Sequence, residues 1–78
     1  MKSYALWELR TNNMVRDFDN EHDALGLVLE AIELNGPEIA EHLSLTVEDE
    51  TGEGYLIAYG HELAERARRE CAAEHVSG

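Results

Sequence analysis

Residues 47–55 read Val-Glu-Asp-Glu-Thr-Gly-Glu-Gly-Tyr, four carboxylates and two glycines in nine residues. The segment can be read as a cation loop, a phosphate loop or the turn of a hairpin. The choice decides the fold, because only the third reading makes paired strands of the flanking runs. A calcium loop needs oxygen ligands at alternate positions and a bidentate Glu at the twelfth. Counted from Asp49, the twelfth position is Gly60. A phosphate loop needs Gly-Lys-Ser/Thr, which is absent, and clustered carboxylates repel phosphate. The flanks favour the hairpin. Ser44 to Glu48 alternates, with Leu45 and Val47 on one face, and Gly54 to Tyr59 is strand-like. Asp49 to Glu53, with its glycine, supplies turn chemistry between them.

Upstream, Asn20 to Asn35 carries a helical stripe of Leu25, Val28, Leu29 and Ile32, widened by Ala24, Leu27 and Ala31. Asn20 can cap this helix, and Asp23 stands three residues on, much as in a capping box. Gly26 inside it costs about 1 kcal/mol relative to alanine, which a close approach of helix to sheet would explain. Asn35-Gly36-Pro37 ends the helix, and Pro37 to Leu43 reads as a short second helical turn.

At the start of the chain, Ser3 to Arg10 is aromatic and apolar enough for a strand. Thr11-Asn12-Asn13 is turn chemistry, and Met14 to Phe18 returns as a second strand. A three-residue loop would set Glu8 opposite Arg16 and Leu9 opposite Val15. Gly60 breaks the fourth strand, and His61 to Glu74 forms a last helix. Its apolar side is Leu63, Ala64, Ala67 and Cys71. Glu62–Arg66 and Glu65–Arg69 are spaced as i,i+4 pairs. The expected fold is therefore α+β: a four-stranded antiparallel sheet in ββαββα order, with helices packed on one face and residues 1–78 forming a single small domain.

A chain of 78 residues buries only roughly 60–65 % of its unfolded surface. Its single cysteine, Cys71, forms no internal disulfide and suits a reducing compartment. The opening MKSYALWELR has no long apolar core, and no run approaches the ~20 apolar residues of a membrane span. These features read as a soluble cytoplasmic protein.

Net charge is −11 and unevenly placed. Residues 1–19 sum to zero, whereas residues 20–54 hold ten acids and no Lys or Arg. The ten are Glu21, Asp23, Glu30, Glu33, Glu38, Glu41, Glu48, Asp49, Glu50 and Glu53. Such a field repels nucleic acid and anionic membranes and attracts basic partners or cations. Solubility, or adaptation to a salty cytosol, is the other reading of the same excess.

Other clusters carry less chemistry. Asp17, Asp19, Glu21 and Asp23 alternate like a calcium loop, but His22 holds the position of the bend glycine and Val28 the twelfth. Weak divalent binding by Asp17, Asp19 and Glu21 is one alternative. Cys71 and His75 are half of a zinc site, and His22, His42 and His61 stand at no motif spacing. Arg66-Ala67-Arg68-Arg69 is flanked by glutamates and reads as a self-paired helix face. No serine lies in a strained turn and the cysteine has no evident base, so no enzyme is expected and no cofactor is implied.

The aromatic residues Tyr4, Trp7, Phe18, Tyr55 and Tyr59 all fall on strands. Tyr4 and Leu6 cannot share a face with Trp7 and Leu9, so large apolar groups must point away from the helices. Exposed apolar sheet surface marks interfaces, and a homodimer through the sheet is one expectation.

Tyr4-Ala5-Leu6-Trp7, Phe18-Asp19, Asn35-Gly36-Pro37, Glu48-Asp49, Gly52 and Ala58-Tyr59-Gly60 resemble the anchors of a group of short uncharacterised bacterial proteins of actinobacterial and chloroflexi type. The resemblance spans residues 4–67 and implies the ββαββα fold without an activity. More distantly, the acidic, alanine-containing run from Asp19 to Ala31 resembles the segment by which HicB-like antitoxins enter their helix, whereas the first hairpin lacks their glycine-rich turn. This resemblance implies an inhibitor of a small basic ribonuclease, or more broadly a nucleic-acid mimic. The functional expectation is a non-enzymatic acidic accessory protein whose ten carboxylates between residues 20 and 54 meet a basic protein partner, with no direct nucleic-acid contact.

Overall fold

The computed structural model describes residues 2–76, with side chains through residue 70. Six elements and one 3₁₀ turn follow in the order β1 (Ser3–Glu8), β2 (Asn13–Phe18), α1 (Glu21–Asn35), the 3₁₀ turn Pro37–His42, β3 (Leu43–Glu48), β4 (Gly54–Tyr59) and α2 (Gly60–Val76). The four strands form one sheet in the order β2-β1-β3-β4, with every neighbouring pair antiparallel. This is the expected α+β arrangement.

The faces of the sheet follow from register. Leu6 on β1 lies opposite Leu45 on β3, which lies opposite Ala58 on β4. All three are buried, and they form a core with Ala24, Leu25, Val28 and Ile32 of α1 and Leu63, Ala64 and Ala67 of α2. The helical stripes therefore meet the even-numbered side of β1. Tyr4 and Phe18, paired across β1 and β2, pack at its margin.

Local chemistry explains the element boundaries. The Asn20 side chain accepts from the Asp23 N–H at 2.8 Å and caps α1. Gly36, at φ +91°, turns the chain out of α1 while its N–H donates to the Ile32 carbonyl at 2.7 Å. Gly26 does not sit at a close approach, as the sequence suggested: a Cβ built there would meet nothing within 4 Å.

The first hairpin also differs from expectation. β1 ends at Glu8, which lies opposite Asn13, and Arg16 lies opposite Leu6. The register shifts between Leu6 and Trp7, leaving Val15 unmatched on β2. The Glu8 carboxylate organises the turn that follows β1. It accepts from the Arg10 Nε at 2.6 Å, the Thr11 N–H at 2.9 Å and the Thr11 hydroxyl at 3.0 Å. These bonds curl residues 9–12 into a turn, completed by Asn12 at φ +56°. Arg10, the turn backbone and the Thr11 hydroxyl hold Glu8 down to about 2.

Candidate interaction surface

Both helices cover one face of the sheet, so the other is left open. Alternation puts Ala5 and Trp7 of β1 there, beside Met14 and Asp17 of β2, Thr46 and Glu48 of β3, and Leu56 of β4. Tyr59 lies opposite Ser44 on the same side. Met14, Leu56 and Tyr59 are 50, 56 and 57 % exposed. The Trp7 indole N–H donates to the Thr46 hydroxyl at 3.0 Å, fixing the ring across the two central strands. Ala5, Trp7, Met14, Asp17, Thr46, Glu48 and Leu56 line an open depression of about 570 Å³, with Tyr59 outside it on the same face. Its lining includes the carboxylates of Asp17 and Glu48 and no Lys or Arg.

Glu48 leads into residues 49–53, which form the β3–β4 hairpin turn. The Asp49 N–H donates to the Glu53 carbonyl at 3.0 Å and closes the hairpin. The Asp49 side chain accepts from the Thr51 hydroxyl at 2.6 Å, the Thr51 N–H at 2.9 Å and the Glu53 N–H at 3.2 Å. Those bonds, led by the Thr51 hydroxyl and helped by Lys2, lower its pKa. Gly52 takes φ +86°, which favours glycine. Glu53 accepts from the Tyr55 hydroxyl at 2.8 Å, which raises the tyrosine's pKa.

The ten acids named from sequence do not form one surface. Glu48, Asp49, Glu50 and Glu53 gather at the β3–β4 turn, at the sheet end where β1 begins and β2 finishes. Asp17 approaches that end from the opposite edge strand. Glu30 and Glu33 are exposed on α1, and Glu38 and Glu41 on the 3₁₀ turn. Asp23 belongs to the α1 cap. Glu21 is spent differently: Arg66 of α2 donates to it through Nε at 2.8 Å and Nη2 at 3.3 Å, tying the two helices together. Arg66 therefore reaches across to α1 rather than pairing with Glu62 on its own helix. His61 has the Glu65 carboxylate within 3.3 Å.

The geometry bears on the other chemistries. Asp17 faces the open side, whereas Glu21 is clamped by Arg66, so the alternating acids of residues 17–21 do not converge. Among the described residues no group of three or more His, Cys, Asp or Glu side chains is arranged to hold a metal ion. Cys71 and His75 lie outside the described side chains. No helix is long and apolar enough to cross a membrane among the described residues.

Sequence reasoning named the acids but not Trp7, Met14, Leu56 and Tyr59 as one surface. The signal was present in the alternation of Ser3–Glu8. It became decisive only once Leu6, not Trp7, was placed under the helices.

Compared with protein-family models, with curated proteins and with solved structures, the chain matches none.

Proposed function

We propose that this chain is a non-enzymatic, cytoplasmic accessory protein that binds a basic protein partner. The observation that carries the reading is the acidic end of the sheet, where Glu48, Glu50 and Glu53 continue from an apolar depression edged by Asp17. The polar groups there are engaged in holding structure rather than poised for reaction. The Trp7 N–H is used by Thr46, and Asp49 by its own turn. Carboxylates on a rigid hairpin attract a basic partner over a Debye length of about 8 Å at physiological salt, and complementary charge raises the association rate.

The test is capture from the native host on immobilised protein at low salt, followed by association kinetics of what is captured. A basic protein should be retained, and its association should slow sharply between low and physiological salt. Recovery of no basic protein would refute the reading.

A further inference from the structure

We propose that the uncovered sheet face is the docking surface for an amphipathic, basic α-helix of the partner. The inference rests on the acidic-surface reading above and specifies which surface and what partner chemistry serve it.

Three observations select this occupant. The first is the chemistry of the face. Met14 and Leu56 are each at least half exposed and line the depression with Trp7, and Tyr59, also more than half exposed, lies on the same face beyond Ser44. Contiguous exposed apolar surface of this kind is the usual mark of an interaction site.

The second is the form of the partner. The backbones of the central strands β1 and β3 are paired on both sides, so the face offers side chains and no free main-chain groups. Strand addition would have to use β2 or β4. Each carries an irregularity, with Val15 unmatched on β2 and Ile57 on β4. Bulges of this kind discourage edge pairing. A helix laid on the face has no such requirement, because its own backbone groups are satisfied internally and only its side chains need meet the sheet. The four strands are six residues each, about 20 Å long, so the face can contact about 13 residues of a helix laid along them.

The third is charge. The lining holds Asp17 and Glu48 with no Lys or Arg, and the Glu50 and Glu53 turn lies just beyond. A second copy of this chain would bring the same carboxylates and a further −11 of net charge to the contact. A helix with Lys or Arg flanking its apolar stripe complements both the apolar floor and the acidic rim.

The experiment uses a synthetic helix of about 18 residues with a leucine stripe and lysines elsewhere. Two comparison peptides replace the leucines with alanine or the lysines with glutamate. Trp7 is the only tryptophan, so its emission reports occupancy of the face directly. The Leu/Lys peptide should shift that emission. It should bind roughly tenfold or more tightly than the Ala/Lys peptide, as burial of even one leucine allows. The doubly substituted variant Met14→Ser, Leu56→Ser should lose a similar factor while keeping its circular dichroism, because both side chains are exposed.

Equal binding of the Leu/Lys and Ala/Lys peptides with no change in Trp7 emission would overturn this proposal and leave the acidic-docking reading standing. Failure of both lysine peptides to bind would remove the two together. Binding of the Leu/Glu peptide as tight as that of Leu/Lys would overturn the basic partner. A doubled mass in light scattering, with Trp7 already shifted before peptide is added, would assign the face to a second copy and refute the proposal.

Discussion

Replacing Leu6 by alanine tests the placement on which the open face depends. Leu6 is 1 % exposed and lies opposite Leu45, itself wholly buried, in the core with Leu25 and Val28. Truncation removes three carbons from a site that backbone pairing on both sides prevents from collapsing. Leu→Ala changes in such cores cost about 3 kcal/mol. A chain of 78 residues has a total stability of about 4–12 kcal/mol. The loss is therefore between a quarter and most of the whole. For a domain of this size it lowers the melting temperature by about 12–24 °C. Leu34, 76 % exposed near the end of α1, is the matched control, and its change to alanine should stay within about 0.5 kcal/mol. Thermal and urea melts followed by circular dichroism read both variants. A slip of one residue in β1 would turn Leu6 outward and Trp7 inward. A cost below about 1 kcal/mol for Leu6→Ala would therefore refute the assignment of faces, and the docking surface with it.

Gly26→Ala should stabilise the protein by about 0.8–1 kcal/mol in a urea melt, because the added methyl meets nothing within 4 Å and the helix gains propensity. Asn20→Ala should destabilise it by about 1 kcal/mol in the same assay, through loss of the cap on the Asp23 N–H. Glu8 is held at about 2, below its ordinary 4.5, so its stabilising contribution is present above 4.5 and is lost as pH falls toward 2. Acid titration of melting temperature should accordingly fall less steeply over that window in Glu8→Gln than in the parent. Asp17→Asn with Glu48→Gln should slow association of the Leu/Lys peptide at physiological salt in stopped-flow Trp7 fluorescence. Glu30→Gln with Glu33→Gln, which removes as much charge, should leave the rate nearly unchanged.

The order of elements could be read from sequence because local rules agreed at each boundary. Asn20 before a helical stripe, Gly36-Pro37 after it, and a glycine-bearing acidic turn between alternating runs each have one inexpensive conformation. Register and side-chain partners depended on something less local. Glu8 had Arg16 available across an assumed three-residue loop, but its carboxylate instead gathers Arg10 and Thr11 and lengthens the turn. Arg66 had Glu62 one turn away and chose Glu21 on the other helix. In both cases several partners of like chemistry were within reach in the sequence, and only the tertiary path selects between them. The candidate surface was half readable for the same reason. Alternation shows that Leu6 and Trp7 oppose each other, but which of them meets the helices depends on pairing with Leu45 rather than Ser44.

Net charge alone would not make this chain selective, because charges on the two sides of the domain are felt separately. The domain is 17 Å thick, about two Debye lengths at physiological salt. Glu30 and Glu33 sit on α1, which covers the opposite side of the sheet from Trp7. Their field at the open face is therefore strongly screened. Glu21 contributes still less, since Arg66 offsets it at contact distance. A partner docking on the proposed surface would meet Asp17, Glu48 and the turn acids, offset in part by Lys2 near Asp49, close to apolar side chains that only contact can bury. Steering by the first group and retention by the second are separable in measurement. The first acts on the association rate and fades with salt; the second acts on dissociation and does not.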